Sequence, residues 1–309
     1  MISSPHEGVC DESAPLHIVS VSLGSSSRDH SSDAHFLGRA WKIERRGTDG
    51  DLEKARHLIA ELDGHVAAIG LGGIDLWLVA GNRRYPIRAA QKLAEAAKTT
   101  PVVDGSGLKN TLERTTVRAL NEGITPLRGV KVGLTCAVDR FGMAQELVKV
   151  GADVTFGDWL FVLNIPLMMH RLRTIQRAAR WVLPIAGRLP FTLLYPTGAA
   201  QTEIVASAKH RQFFERNQII AGDFLLIRRH LPDDLSGKTI LTNTVTPADV
   251  ELLRERGARQ LITTTPEFEG RSFGTNVMEG IFAALGDVTQ HDYQQRLEQL
   301  DWQPRVVLF

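Results

Sequence analysis

Two segments of this chain repeat one pattern of residues about 165 positions apart. Residues 99–113 begin with Thr-Thr-Pro and continue through an acid and a glycine to a serine, an asparagine and a glutamate. Residues 264–279 follow the same order, with Arg271 as one inserted residue. An apolar stretch ending in Ala-Leu follows each copy. Because this period is too long for a solenoid, we interpret the repeat as two lobes built from a duplicated unit.

Short runs rich in β-branched residues alternate with amphipathic segments in both halves of the chain. This alternation is typical of parallel sheets covered by helices. The sequence therefore predicts an α/β protein: two Rossmann-like lobes with mainly parallel sheets flanked by helices, internally duplicated, with a helical insert. The predicted strands are residues 16–23, 41–46, 66–71, 101–103, 132–135, 153–156, 218–221, 239–242 and 260–264. The predicted helices are residues 52–62, 87–98, 111–122, 141–150 and 247–256.

The predicted organisation has a leader, two lobes, an insert and a C-terminal segment. The leader is residues 1–15 and the first lobe is residues 16–128. The second lobe is residues 129–286 and contains the insert, residues 159–198. The C-terminal segment is residues 287–309. The insert is apolar, carries several arginines and is broken by prolines. We expect an amphipathic lid over a cleft or a subunit interface, which would make the protein a homodimer. A helix lying on a membrane surface is less favoured, because the segment has no lysine-rich face and no second anchor.

Composition excludes several classes of partner. Lys and Arg total 36 against 35 for Asp and Glu, so no overall field would attract nucleic acid. The longest apolar run, residues 159–169, is far shorter than the roughly 20 residues that span a bilayer, which predicts no stable membrane insertion. With two cysteines and no secretory signal pattern at the start, a cytoplasmic location is expected. The histidine spacings predict no metal site.

Each repeated loop places small polar residues just ahead of a helix, where free amides and the positive helix end favour an anion. We expect both loops to face one cleft, since ligands of open α/β sheets lie beyond the carboxyl ends of strands. A small anionic substrate would bind there. The alternative is that each asparagine and the glutamate three residues later form a capping box. The candidate binding residues are Ser106, Asn110, Ser272 and Asn276.

Arg271 stands only in the second loop. A guanidinium beside helix-end amides suits bidentate capture of a carboxylate or phosphate. The alternative is a surface arginine paired with Glu267 or Glu269, an arrangement of small energetic consequence.

Asp75 and Asp223 each follow a glycine-containing turn at the end of an apolar strand. Carboxylates there could hold a hydroxyl, act as acid or base, or bind a metal. The alternative for each is an aspartate that caps a helix or a turn. Their similar positions in the two halves favour function, so both are candidate catalytic residues.

Cys136 lies between a predicted strand and a predicted helix, where a thiolate would be stabilised. A single cysteine in an apolar strand can equally be part of the core. The sequence contains no G-x-S-x-G and no H-E-x-x-H pattern, which disfavours a serine esterase or a zinc hydrolase.

Several fragments resemble the quinate/shikimate 5-dehydrogenase family. Residues 103–108 (Val-Asp-Gly-Ser-Gly-Leu) are similar to its D-G-x-G-F-type loop. Residues 20–23 (Ser-Val-Ser-Leu) match the place of its substrate-binding serines. Residues 86–88 (Pro-Ile-Arg) resemble its P-x-K segment, and residues 264–266 (Thr-Thr-Pro) its T-P loop beside the nicotinamide. Together these fragments cover about a tenth of the chain.

The resemblance implies an oxidoreductase that acts on a hydroxy acid of quinate or shikimate type with NAD or NADP. It implies that Ser20, Ser22 and Asp104 bind the polyol carboxylate, with Asp104 as a catalytic residue that orients a hydroxyl during hydride transfer. It also implies cofactor contacts from the segment 133–142 and from the second Thr-Thr pair. The cofactor residues so implied are Thr135, Cys136, Thr264 and Thr265.

Two departures separate this chain from that family. Arg88 stands where the family has a catalytic lysine, and an arginine stays protonated. The segment 133–142 has no G-x-G-x-x-G, so its side chains would partly obstruct a pyrophosphate, and a cofactor would need a nonstandard loop. The alternative function is a non-redox, two-lobed enzyme or ligand-binding protein that closes on a carboxylated or phosphorylated small molecule.

Overall fold

A computed structural model describes residues 14–80, 83–188, 204–205, 207–265, 267–268, 271–272, 274–287 and 289–309. The strands of these residues form two large sheets and two small hairpins. The strands are β1 Leu16–Ser22, β2 His30–Phe36, β3 Arg39–Gly47, β4 Ala68–Gly72, β5 Trp77–Ala80, β6 Arg83–Pro86, β7 Val102–Val103, β8 Lys131–Leu134, β9 Asp153–Phe156, β10 Ile219–Ala221, β11 Thr239–Thr242, β12 Gln260–Thr263, β13 Glu267–Phe268, β14 Arg271–Ser272 and β15 Arg305–Leu308.

Helices cover both large sheets. The helices are α1 Leu52–Leu62, α2 Arg88–Ala94, α3 Ser106–Ala119, α4 Phe141–Lys149, α5 Asp158–Leu163, α6 Leu172–Ala186, α7 Ala208–Arg216, α8 Phe224–Arg229, α9 Pro247–Glu255, α10 Thr275–Ala284 and α11 Gln290–Gln299. Helix α9 begins as its sequence predicts: Thr246 and Asp249 form a capping box and Pro247 opens the first turn.

The first sheet has the order β2-β3-β1-β4-β7, and only β2 runs antiparallel to its neighbour. The second has the order β15-β12-β11-β10-β8-β9, and only β15 is antiparallel. In each sheet the first parallel strand lies between the second and the third parallel strands of the chain. This is the doubly wound arrangement, with a ligand crevice expected where the order reverses. The predicted α/β fold class is confirmed.

The two lobes exchange helices. Helix α3 leaves the first sheet and ends in the core of the second lobe, where Val117 packs with Val132 and Leu147. Helix α10 follows the second sheet in sequence but packs on the first, with Met278 and Ile281 beside Ile18. Helix α11 joins the same first-lobe core, and β15 then returns to the second sheet. The core of the first lobe therefore includes α10 and α11 from the C-terminal part of the chain, and the core of the second lobe includes the end of α3.

The two copies of the repeat do not occupy equivalent places. In the first copy residues 102–103 form β7 at the edge of the first sheet, whereas the corresponding residues 267–268 form β13 in a separate hairpin with β14. The first loop therefore follows β7 of the first sheet, whereas the second follows β12 of the second sheet and continues into the hairpin. The pattern marks the start of the two exchanged helices, and these starts lie against each other. A Cβ on Gly105 would lie 2.5 Å from the Asn276 nitrogen.

The insert contributes α6, which packs across both lobes. Ala179 and Leu183 contact Leu78 and Tyr85 of the β5–β6 hairpin and Val138 of the second lobe. Part of the predicted insert, residues 189–198, and most of the predicted leader, residues 1–13, lie outside the described residues.

Candidate functional site

A cleft opens between the lobes, beside the loop that joins β8 to α4. Its wall is built from three parts of the chain: residues 75 and 77–79 of the first lobe, the first turns of α3, and residues 138–139 and 141–142 of the second lobe. Polar side chains of all three parts meet there. They include Asp75, Ser106, Lys109, Asn110 and Asp139. Two of these, Ser106 and Asn110, are predicted binding residues, and Asp75 is a predicted catalytic residue.

The cleft contains an ion pair that joins the lobes. The Lys109 ammonium lies 2.8 Å from a carboxylate oxygen of Asp139, and the Arg140 guanidinium lies 3.3 Å from the other oxygen. Burial alone would lower the pKa of Lys109, but the Asp139, Asp75 and Glu113 carboxylates raise it above its usual value. Lys109 therefore stays protonated at neutral pH.

Asp75, unlike Lys109, has a pKa that is shifted towards its neutral form. Burial raises its pKa to about 7, and the neighbouring charges of Asp139 and Asp104 raise it as well, while Lys109 and Arg140 lower it. Burial also disfavours the charged form of Asp139, but Lys109 and Arg140 outweigh it and lower that pKa to about 2. Two carboxyl groups on one cleft thus differ in charge near pH 7. Such a pair suits acid–base work, since one group can exchange a proton while the other holds a cation.

Arg140, next to the lining residue Asp139, joins α3 to the second lobe. Its guanidinium donates to Glu113 of α3 and to Asp223 beyond β10, both at 2.9 Å. Glu113 also accepts the Met143 amide at the start of α4. Asn243, after β11, donates to Asp223 at 2.9 Å. Arg140 thus links α3 to the loop after β8 and to Asp223 after β10, and Asn243 after β11 joins the same network through Asp223.

Asp223 matches its alternative interpretation, because it caps α8 by accepting the Leu225 and Leu226 amides. Asp104 likewise anchors a turn. It is buried and accepts the Leu76 amide at 2.6 Å and both the amide and hydroxyl of Ser106. These contacts fix the backbone that carries Asp75 and Lys109 into the cleft.

The predicted serines near the start lie apart from the residues that line the cleft. The Asn276 side chain donates to the Ser20 hydroxyl at 2.8 Å, so two predicted binding residues meet in a bond between α10 and β1. The Ser22 hydroxyl accepts the Gly24 amide and a guanidinium nitrogen of Arg45. Both serines are buried.

The capping-box alternative for the two repeated loops is wrong. Helices α3 and α10 begin after Gly105 and Gly274, and neither has a side-chain cap. Glu113 pairs with Arg140, and Glu279 accepts the Tyr293 hydroxyl at 2.8 Å. Burial raises the pKa of Glu279 to about 7, with the Asp104 charge adding to the rise.

Asn110 is in the second turn of α3 and accepts from Arg114 at 2.7 Å. Its side chain and main chain closely approach Gly142, where a Cβ would lie 2.6 Å from the amide oxygen. Asn110 therefore packs α3 against α4 as well as lining the cleft.

The loop after β8 does not fit a dinucleotide bound through a glycine-rich turn. Thr135 and Ala137 are fully buried, and Arg140 spans from α3 to Asp223 across the ends of β8 and β10. The position that a pyrophosphate takes in that binding mode is thus occupied by side chains. Thr264 and Thr265 are buried at the end of β12, and Thr265 shares a hydrogen bond with Thr244.

Cys136 is a buried thiol. Burial raises its pKa well above the usual value, and the Asp158 and Asp139 carboxylates raise it further. The burial of Cys136 favours the core interpretation over the thiolate interpretation. Among the described residues no group of His, Cys, Asp or Glu side chains is arranged to hold a metal ion.

The side chains of Arg271 and Ser272 lie outside what the structure describes, so their assignment stays a prediction. Arg88 is exposed at the start of α2 and does not line the cleft. Sequence reasoning missed Lys109, Asp139 and Arg140. A signal for the last two existed, since an Asp-Arg pair separates an apolar strand from an apolar helix. Lys109 lies inside the repeated segment, but the second copy has Thr275 at that position instead of a lysine.

Two family models match this sequence. One, described as a domain of unknown function (DUF8754), matches residues 107–309, and another, a domain of unknown function (DUF8753), matches residues 17–104. The first covers more than half of the chain, which therefore belongs to the DUF8754 family. A search of the curated proteins finds no match.

Solved structures of similar shape include a putative malic enzyme (malate oxidoreductase), at 15% identity and a TM-score of 0.37, covering 91% of this chain and 72% of that one. The glutamate dehydrogenase of Thermus thermophilus is similar at 12% identity and a TM-score of 0.43, with 93% and 73% covered. LsrB from Clostridium saccharobutylicum in complex with AI-2 is similar at 12% identity and a TM-score of 0.37, with 88% and 83% covered. The sequence identities and TM-scores are too low to assign an activity to this chain.

Proposed function

We propose that this member of the DUF8754 family is a small-molecule enzyme that performs acid–base chemistry on a hydroxyl or carbonyl group in the cleft between its lobes. The observation that carries the proposal is the Lys109–Asp139 ion pair at 2.8 Å beside Asp75, whose pKa is raised to about 7. A proton-exchanging carboxyl next to a fixed cation is the minimum needed to move a proton at a substrate oxygen.

The roles follow from the charges. Asp75 takes or returns the proton, because a group with a pKa near the working pH is available in both forms. Lys109 keeps its proton and stabilises negative charge that develops on the substrate oxygen. Asp139 and Asp104 act as positioning residues, the first by holding the ammonium and the second by fixing the turn at Leu76.

The cleft favours a neutral oxygen group over a phosphate at the reacting position. Lys109 and Arg140 are already paired with carboxylates, and Glu113 adds a further acid to the wall. A phosphate would have to compete with those pairs. An anionic group elsewhere on the substrate would need a second contact, for which Arg271 remains the predicted residue.

A finer proposal is the oxidation or reduction of a hydroxy acid of quinate or shikimate type with NAD or NADP. The doubly wound second sheet and the loop similarity at residues 103–108 support it. The blocked turn after β8 opposes the glycine-loop mode of cofactor binding, so the acid–base proposal is stated without any step through a nicotinamide.

The experiment combines binding and turnover on the purified full chain. Quinate, shikimate and simple hydroxy acids are screened by thermal shift and by ligand-observed NMR, each alone and with NAD or NADP. Ligands that bind are then tested for turnover with wild type, Asp75→Asn and Lys109→Met. Matched controls are Asp33→Asn and Lys92→Met, which alter exposed residues away from the cleft.

We expect a ligand whose turnover is lost in both cleft variants and kept in both controls. Turnover that is unchanged in Asp75→Asn would contradict the acid–base assignment. Stabilisation by NAD or NADP would support the finer proposal, and binding of an acid with no nucleotide effect would reject it while leaving the acid–base proposal intact.

A further inference from the structure

Helix α6 presents an apolar strip to solvent. The exposed fraction is 81% for Trp181, 63% for Ile185 and 46% for Val182. Soluble surfaces seldom expose a tryptophan to this extent beside other large apolar groups. The strip is not needed to hold the helix in place, because the opposite face packs through Ile175, Ala179 and Leu183.

A strip of arginines runs beside the apolar strip on the same helix. Arg173, Arg177 and Arg180 are spaced by four and three residues, so they lie on one side of α6, and all three are exposed. Trp181 and Ile185, four residues apart, lie on the adjoining side. Among the described residues none of these arginines has a carboxylate within ion-pair distance, and residues 159–188 contain no aspartate or glutamate.

We propose that this face of α6 docks on an anionic lipid surface, which the sequence alone disfavours for lack of a lysine-rich face; the exposed arginines supply that positive charge. Tryptophan and aliphatic side chains enter the boundary between headgroups and acyl chains, and a row of arginines beside them contacts anionic headgroups. Such docking lies in the plane of the membrane and needs no spanning helix. In the described chain no helix is both long and apolar enough to cross a bilayer.

Charge argues against a second copy of this chain as the occupant. A two-fold interface brings the same patch of both subunits together, so the arginine strips would face each other without an acid to separate them. An anionic surface neutralises all of them at once. The proposal does not rest on the chemistry assigned to the cleft.

The test is co-sedimentation of the full chain with vesicles of phosphatidylcholine alone or of phosphatidylcholine with phosphatidylglycerol. Three variants are compared: Trp181→Ser with Ile185→Ser, the triple change of Arg173, Arg177 and Arg180 to Gln, and a control in which Arg211, Arg216 and Arg259 become Gln. The control arginines are exposed but lie on other elements. Sedimentation equilibrium of the protein alone reports its oligomeric state.

We expect binding to the phosphatidylglycerol vesicles that weakens with salt and is nearly absent on phosphatidylcholine. The arginine triple variant should bind roughly a hundredfold more weakly, at about a factor of five for each charge, and the control should bind like wild type. Equal binding to both vesicle types, no binding to either, or a dimer that the Trp181→Ser/Ile185→Ser variant abolishes would overturn the proposal.

Discussion

Arg140 and Glu113 form an ion pair whose nitrogen and oxygen lie 2.9 Å apart, and their side chains are only 4% and 1% exposed. The pair joins the loop after β8 to α3, the helix that the first lobe sends into the second. Arg140 has further carboxylate partners in Asp139 and Asp223, whereas Glu113 has only this one cation within ion-pair distance among the described residues. Burial raises the pKa of Glu113, and Arg140 opposes that rise.

Glu113→Gln should lower the free energy of unfolding by about 3 kcal/mol, because it leaves a buried guanidinium with one carboxylate fewer. Urea denaturation measures the effect. The control is Glu122→Gln, which changes an exposed glutamate just beyond α3 and should cost less than about 0.5 kcal/mol. Equal losses in the two variants would mean that the pair does not stabilise the lobe contact.

Gly105→Ala should destabilise the protein more than the same substitution at another glycine with positive φ. Gly105 has φ of 87° and an added Cβ would lie 2.5 Å from the Asn276 nitrogen. Gly129 has φ of 75° but nothing within 4 Å of an added Cβ, so Gly129→Ala reports the backbone strain alone, about 1 kcal/mol. The excess loss in Gly105→Ala by denaturant titration measures the close approach of the two exchanged helices. No excess would contradict that packing.

The buried pair His210 and His230 should make stability depend on pH. Their rings stack with centroids 3.8 Å apart, and burial, together with the charge of His230, lowers the pKa of His210 to about 4. An unfolded histidine titrates near 6.5, so the folded state resists protonation. The stabilisation is complete above pH 6.5 and is lost as the pH falls from 6.5 towards 4, by up to about 3 kcal/mol.

Denaturation midpoints of wild type and His210→Gln across that range test this expectation. The variant should lose less stability on acidification than wild type. The control His57→Gln changes an exposed histidine on α1 and should leave the slope unchanged. A slope that is the same in all three proteins would show that His210 protonates freely in the folded state, which contradicts the expectation.

Cys136 should react very slowly with a thiol reagent while the protein is folded. It is 9% exposed, and burial raises its pKa well above the usual value, so little thiolate forms at pH 8. In a Cys10→Ser background, the colour developed with a disulfide reagent should appear on the timescale of unfolding and become immediate in guanidinium chloride. Immediate reaction of the folded protein would contradict the buried thiol.

Local pattern predicted most of the sheet architecture. Strands 153–156 and 239–242 and helix 52–62 agree with the structure to the residue, because apolar periodicity and caps act locally. The sequence predicts the start of α3 five residues too late, because Ser106 and Gly107 are weak helix formers. In the structure they form the first turn, where Ser106 bonds to Asp104 and Gly107 lies against Glu279. The exchange of α3 and α10 between the lobes depends on contacts far apart in sequence and left no periodic signal.

The candidate site was only partly accessible from sequence for a related reason. Asp75, Ser106 and Asn110 were predicted because they stand at strand ends or helix starts. Lys109 and Asp139 lie thirty residues apart, and the bond between them exists only because α3 crosses to the second lobe. Asp104 and Asp223 hold a turn and a helix start in the structure, and a carboxylate in that role has the same local sequence signature as one that awaits a substrate.

The electrostatics of Asp75 is the most direct test of the acid–base site. Its carboxyl carbon can be followed by carbon-13 NMR as the pH is raised, with Asp75→Asn assigning the signal. We predict titration with a pKa of about 7, and a still higher pKa in Lys109→Met, because the Lys109 charge lowers that of Asp75 in the wild type. A pKa near the ordinary value of about 4, unmoved by Lys109→Met, would contradict the proposed function.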